Sequence, residues 1–361
     1  MNFTSPVILS AEGAKNLDPS IRLSLEDSIL EGAGIVPIGT ASSMAQDDAS
    51  DKNRRSVIFI VGPTAVGKSE VALVLAQQLK GEIVSCDAMQ VYKEISIATS
   101  KPSLEMLRKV PHHLINIQSV QEEFDVAKFN DLAQKAIAAI LKKDRIPIIV
   151  GGSGMYMQVL LDGIFPGGGK DSQVRAKLEE EAKEKGDGAL YTKLQRVDPD
   201  AAAKIHPRDQ RRIIRALEVY ETTRQPMSQI KKSREGLWGK YDIRIFALNR
   251  NRAELYNRIN RRVDDMLAKG LVKEIEKLDA EKLSLTAQRI IGVDDILGYL
   301  KGEHDMERAQ YLIQLNSRHL AKRQLTWFRK DKRLEWLMVA EHDTAPDIAK
   351  KINQEMKNKK D

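Results

Sequence analysis

The stretch that most constrains the fold is Gly62-Pro63-Thr64-Ala65-Val66-Gly67-Lys68-Ser69. It lies between the apolar run Val57-Ile58-Phe59-Ile60-Val61 and a segment, Glu70 to Lys80, that reads as a helix. A β-branched strand, a glycine-rich turn and a helix in that order make a phosphate-binding loop. Such a loop aims backbone N–H groups and the positive end of a helix dipole at one point. Lys68 adds a point charge there, and the Ser69 hydroxyl can hold Mg²⁺. A diphosphate or triphosphate is expected on Gly62, Pro63, Thr64, Ala65, Val66, Gly67, Lys68 and Ser69.

From Val57 onward strand and helix patterns alternate, as in a parallel sheet with helical crossovers. Glu82-Ile83-Val84-Ser85 reads as a second strand ending at Cys86-Asp87. Residues 125 to 143 place Phe129, Leu132, Ala133, Ala136, Ile137, Ile140 and Leu141 at helical spacing, and Ile146-Pro147-Ile148-Ile149-Val150 reads as a buried strand running into Gly151-Gly152-Ser153-Gly154. After Pro166 and the flexible-looking Gly167-Gly168-Gly169 the pattern turns helical only, and Ile243-Arg244-Ile245-Phe246-Ala247-Leu248 then reads as a return to the sheet. The expected fold class is α/β, a P-loop NTPase-like parallel sheet core with an all-helical insertion domain. Its expected parts are a core over 56–170 and 241–345, an insertion over 171–240, a disordered extension over 1–55 and a flexible, lysine-rich tail over 346–361.

Composition narrows the setting. At 361 residues with 42% apolar and 30% charged residues the chain reads as a soluble, two-domain protein. Its single cysteine, Cys86, excludes an internal disulfide and points to a reducing compartment. No apolar run approaches the roughly 18 residues of a membrane span, so a cytoplasmic protein with no membrane partner is expected, and a monomer. The net charge of +7 is unevenly placed: Lys204 to Arg262 holds 16 basic residues against 6 acidic ones. That is either a solvated face or a surface for a polyanion.

Asp87, at the carboxyl end of the second strand, faces the same crevice as the phosphate loop, where it can act as base, metal ligand or turn cap. The strand over 146–150 ends in glycines, so the acid that a hydrolysed triphosphate needs is not seen there. His112-His113, His206 and His319 lack ligand-spaced partners and are expected to be structural. Trp327-Phe328 are expected to pack on the core, with base stacking as the alternative.

Taken in order, Gly62 to Ser69, Asp87-Ala88-Met89-Gln90-Val91-Tyr92, Ile97 to Pro102, Pro111 to Leu114, Gly151 to Tyr156, Asp198 to Ala203, Ile205-His206-Pro207, Arg212 to Val219 and Ala321 to Phe328 resemble the motif series of tRNA dimethylallyltransferases, also called tRNA isopentenyltransferases. The resemblance runs from about Val57 to Trp336. It implies transfer of a dimethylallyl group from dimethylallyl diphosphate to N6 of the adenosine at position thirty-seven, in the anticodon stem-loop of tRNA, with Mg²⁺ and release of diphosphate. It further implies that Lys68 and Arg262 neutralise the diphosphate and that Asp87 takes the amine proton. Contacts with tRNA would come from Asp87, Ala88, Met89, Gln90 and Ser153, from Arg175, Arg211, Arg212, Ile213, Ile214 and Arg215 in the insertion, and from Arg289, Ile290, Ile291, Gly292, Val293 and Asp294. Departures are Ala88 where the family often has serine, Ser153 for threonine, Arg224 for glycine and Val293 for an aromatic. An adenylate isopentenyltransferase and a small-molecule P-loop kinase are the alternatives.

Overall fold

The computed structural model of the chain describes residues 55–164, 171–231 and 234–358. The expected disorder over 1–55 and the glycine run 167–169 lie outside these residues, Arg55 excepted. Six strands form one parallel sheet: β1 (Ser56–Val61), β2 (Glu82–Ser85), β3 (His112–His113), β4 (Pro147–Gly151), β5 (Asp242–Asn249) and β6 (Glu335–Met338). Their order is β3-β2-β4-β1-β5-β6. The central strand β1 pairs on one side with β4 (Ile58 opposite Ile148) and on the other with β5 (Phe59 opposite Ile245). Side chains alternate across a strand, so Val57, Phe59 and Val61 enter the core on one face of the sheet while Ile58 and Ile60 enter the core on the other.

The helices that cover the sheet around the site are α1 (Lys68–Leu79), α2 (Leu104–Lys109), α3 (Val126–Lys142) and α4 (Gly154–Asp162). Between α4 and β5 the chain runs through α5 (Ser172–Lys185), α6 (Asp187–Val197), α7 (Pro199–Ala202), α8 (Gln210–Thr223) and α9 (Met227–Ile230). These five helices share an apolar cluster of their own that includes Leu178, Leu190, Leu194, Ile213 and Leu217. Asp198, fully buried, ties the cluster together: its carboxylate accepts from Ala201 N at 3.0 Å, capping α7, and from Ser228 N at 2.9 Å in α9. After β5 come α10 (Arg252–Ala268), α11 (Leu271–Glu276), α12 (Val293–Leu300), α13 (Met306–Phe328) and α14 (Ala345–Asn358).

One expectation is corrected. The tail is not frayed over its described part, since α14 buries Ile348, Ala349 and Ile352 in the same core as Val71 and Leu75 of α1. Its lysines obscured an apolar row at Ile348, Ile352 and Met356, spaced by four residues as one helix face requires. Ile352→Ala should therefore lower the unfolding free energy by about 2–4 kcal/mol in a denaturant titration, whereas a loose tail would show no change. The histidine pair is an edge strand, with His113 placed opposite Val84. Its Nε2 sits 2.7 Å from the carboxylate of buried Glu82, a structural role as expected. Among the described residues no helix is long and apolar enough to cross a membrane.

Candidate active site

The phosphate loop follows β1 and needs glycine at two bends. Gly62 takes φ 144°, and a Cβ there would stand 2.5 Å from the Leu248 carbonyl oxygen of β5. Gly67, at φ 106°, is the N-terminal cap of α1. Within the loop Lys68 Nζ donates to Pro63 O at 2.7 Å. Burial pulls the Lys68 ammonium down to a pKa of about 8; neighbouring Asp87 opposes that shift and Arg262 adds to it.

A second layer of side chains fixes the loop from outside. Arg262 of α10 donates from Nη1 to Thr64 Oγ1 and from Nε to Ser100 Oγ, both at 2.7 Å. Arg258, one turn earlier, donates to Ala65 O at 2.8 Å, and Arg250 donates to Val66 O at 3.0 Å. From the far end of the chain Gln324 of α13 accepts from Thr64 N at 2.8 Å. The glycines closing β4 make room for α13: a Cβ on Gly152 would lie 2.2 Å from Gln324 Nε2, and one on Gly154 would lie 2.2 Å from Trp327 Cδ1. Close helix approach, and not catalysis, accounts for glycine at these two positions.

Asp87 stands beside this assembly. Its Oδ1 accepts from Met89 N at 2.9 Å, which fixes the turn after β2 and orients the carboxylate. Gln90 is held by its own contacts: its Oε1 accepts from Ser85 Oγ at 3.0 Å, and its Nε2 donates to the Ser100 carbonyl at 3.3 Å. The loop carrying Ser100 is pinned in turn by Glu274 of α11, which accepts from the N–H groups of Ser96, Ile97 and Ala98 at 2.6–3.0 Å.

These groups line one cavity of about 780 Å³. Thr64, Ala65, Gly67, Lys68, Ser69, Asp87, Ala88, Met89, Gln90, Ser153, Arg262, Arg289, Ile290 and Ile291 all face it, so the phosphate loop and the expected base share a single space. Arg258, Arg323 and Gln324 also line it, and no role was read for them in the sequence. The Ala321 to Phe328 motif held the signal for the last two, without showing what they would meet.

Other expected contacts do not come to the cavity. Gly292 and Val293 are buried in the turn that starts α12, and Asp294 is exposed outside the cavity lining. In α8, Ile213 and Ile214 turn into the insertion's own core, so their side chains are not ligand contacts; packing decides their place. The basic segment also divides. Arg250, Arg258 and Arg262 serve the phosphate loop, Arg244 pairs with Glu335 of β6 at 2.7 Å, and only part of the excess lies on the insertion. There Glu218, with no exposed surface, accepts from Arg175 Nη2 at 2.7 Å, Arg215 Nη1 at 2.9 Å and Asp171 N at 2.9 Å. Burial would raise its pKa, but the two guanidiniums hold the carboxyl below its usual value.

The chain matches the family model described as IPP transferase over residues 90–331. It is 41% identical over 305 residues to the tRNA dimethylallyltransferase of Halothermothrix orenii, covering 84% of this chain and 92% of that protein. The chain belongs to the tRNA dimethylallyltransferase family. A second relative, the tRNA dimethylallyltransferase of Moorella thermoacetica, is 45% identical over 287 residues, 78% of this chain and 89% of that protein. Among solved structures, the full-length tRNA isopentenylpyrophosphate transferase of Bacillus halodurans matches with 37% identity and a TM-score of 0.61, covering 85% of this chain and 98% of that one. A eukaryotic dimethylallyltransferase acting on tRNA matches with 28% identity and a TM-score of 0.73, covering 84% and 80%. As in these members of the family, the fold is a parallel α/β sheet flanked by helices.

Proposed function

We propose that this chain transfers a dimethylallyl group from dimethylallyl diphosphate to N6 of an adenosine in tRNA, at position thirty-seven of the anticodon loop. The observation that carries the proposal is the single cavity in which the phosphate loop, Arg262 and Asp87 meet.

The diphosphate lies on the phosphate loop, where backbone N–H groups, Lys68 and Arg262 meet the charge that grows on the departing oxygens. N6 of the adenine attacks C1 of the allyl group. The C1–O bond breaks, its electron pair leaves with the diphosphate, and the N6 proton passes to Asp87. No acid of the hydrolytic type is required, because no water is activated.

Mg²⁺ fits the site through its oxygen donors. Ser69 Oγ stands at the start of α1 and the Asp87 carboxylate lines the same space. Among the described residues no group of three or more His, Cys, Asp or Glu could hold a metal alone. That suits an ion that keeps waters and takes substrate phosphate oxygens. When bound, the ion would neutralise diphosphate charge, with Ser69 as its protein ligand.

The acceptor adenine has to leave the loop stack to enter a cavity of this kind. Two exposed arginines of the insertion, Arg208 in the turn before α8 and Arg211 in the first turn of that helix, are the groups we assign to the tRNA backbone. Arg175 and Arg215 are anchored by Glu218, so removing either leaves a buried carboxylate short of a partner and mixes folding with binding. The cleaner variant is Arg208→Ala with Arg211→Ala. It should weaken tRNA binding and shallow the salt dependence by roughly one unit of slope per charge, with dimethylallyl diphosphate binding unchanged. Equal affinities at two salt concentrations would assign these arginines to a solvated face.

Labelled dimethylallyl diphosphate offered with bulk tRNA or with AMP tests the acceptor. Label on tRNA alone is expected, and label on AMP alone would move the chain to the free-nucleotide reaction.

A further inference from the structure

One aromatic residue beside the cavity has no part in the chemistry above. On α13 the side chains of Ile313, Ser317, Leu320 and Gln324 line the cavity, and spacings of four, three and four residues put them in one row along the helix. Trp327, three residues further on, continues that row past the cavity's lining. Its five-membered ring lies against the backbone of Gly154, where a Cβ would stand 2.2 Å from Cδ1 and 2.6 Å from Cγ. Gly154 follows Ser153, which lines the cavity, and precedes Met155. Trp327 is 38% exposed and Met155 49% exposed, while the adjoining Phe328 has no exposed surface and carries the packing.

Trp238 and Trp327 are both part-exposed, and they differ in what lies on the ring. The Arg333 guanidinium covers Trp238 at 4.9 Å from the ring centroid. Among the described residues no ring or cation is stacked on Trp327. A glycine backbone thus supports an indole that sits next to two lining residues in sequence terms, one position from Ser153 through Gly154 and one helical turn from Gln324.

We propose that Trp327 is a stacking shelf for the tRNA base next to the acceptor adenine; the proposal rests on the tRNA reading above. When the acceptor leaves the loop stack, its neighbour loses a stacking partner. An open indole at the cavity rim replaces that partner without reading the base's identity, because every base has a π-face. The shelf holds the loop in its opened form and so acts on tRNA binding, while the reacting atoms are served by Asp87 and the phosphate loop.

The chain has three tryptophans, so a Trp238→Phe, Trp336→Phe background leaves Trp327 as the one indole emitter. An anticodon stem-loop should quench its fluorescence, and one with an abasic site beside the acceptor should quench it much less. Dimethylallyl diphosphate alone should leave it unchanged. In steady-state assays Trp327→Ala should raise the tRNA KM about tenfold or more, with kcat and donor binding near wild type. Trp327→Phe, which keeps a π-face, should recover most of the loss, which a purely space-filling role would not link to the flanking base. If tRNA is modified but the Trp327 signal does not respond to the stem-loop, or responds equally to the abasic one, the shelf is overturned. A Trp327→Ala enzyme with a wild-type tRNA KM does the same. Should Trp327→Ala fail to fold, the fluorescence comparison decides by itself. A wild-type enzyme that leaves tRNA unmodified overturns the tRNA reading, and the shelf with it.

Discussion

Asp87→Asn should lower the single-turnover rate of transfer by on the order of a hundred- to ten-thousandfold, the usual worth of a positioned general base, with both substrates still bound. The substitution isolates the proton-accepting role. Asparagine keeps an Oδ1 that can accept from Met89 N, the bond that fixes this turn at 2.9 Å, so the backbone and the cavity wall stay in place. What disappears is the basic oxygen. The exocyclic amine is a poor nucleophile until its proton has somewhere to go, and the amide cannot take it. Donor binding and tRNA binding measured separately should stay within a few-fold of wild type, which puts the loss in kcat. Near-normal single-turnover rates with the asparagine variant would reject Asp87 as the base.

Lys68→Ala should slow transfer by roughly a hundredfold or more, the cost of losing one preorganised group that stabilises a leaving charge. Here the effect should fall on donor binding as well as rate, because the ammonium meets the diphosphate before and after the bond breaks. Stability should change little, since the lost bond to Pro63 O is offset by no longer burying an ammonium. The same burial gives a pH test on the wild-type enzyme. With burial pulling the Lys68 pKa to about 8 in the free protein, the charged form dominates below that pH and is lost above it. Affinity for dimethylallyl diphosphate should therefore be flat below pH 8 and fall above it, approaching about tenfold per pH unit where only the charged form binds. Lys68→Ala should remove this upper limb. A wild-type affinity that is level from pH 7 to 10 would contradict the assignment.

The phosphate loop and Asp87 were legible because each is written in a short run of residues. Strand, glycine turn, Lys68 and Ser69 are consecutive, and Asp87 sits where a strand pattern stops. The helical stretch between the fourth and fifth strands was legible because strand patterns stop after Pro166 and resume only at Ile243. What holds the loop was not. Gln324 is 260 positions from Thr64, and Arg262 is 198 from it, and no local pattern announces contacts between such distant residues. The charge count over Lys204 to Arg262 misled in a related way. It summed arginines that serve the phosphate loop, a sheet-edge ion pair and the insertion, three places that only folding tells apart. Ile213 and Ile214 carried the error of treating a contiguous motif as a contiguous surface, although successive residues on a helix point in different directions. Strand β6 is four residues long with two of them exposed, too short and too polar for its alternation to stand out. Glu218 read as one more charge in a basic run, although it is the buried group that joins Arg175 to Arg215.

The central claim is that the cavity brings an adenine of the anticodon loop between Asp87 and a diphosphate on the phosphate loop. Incubating the enzyme with Mg²⁺, dimethylallyl diphosphate and an unmodified anticodon stem-loop, then digesting the RNA and identifying its nucleosides by mass spectrometry, tests it most directly. The account predicts one N6-dimethylallyladenosine per stem-loop, at the adenosine of position thirty-seven, with an equal amount of diphosphate released. Unmodified nucleosides alongside hydrolysed donor, or a dimethylallyl group on any other base, would contradict it.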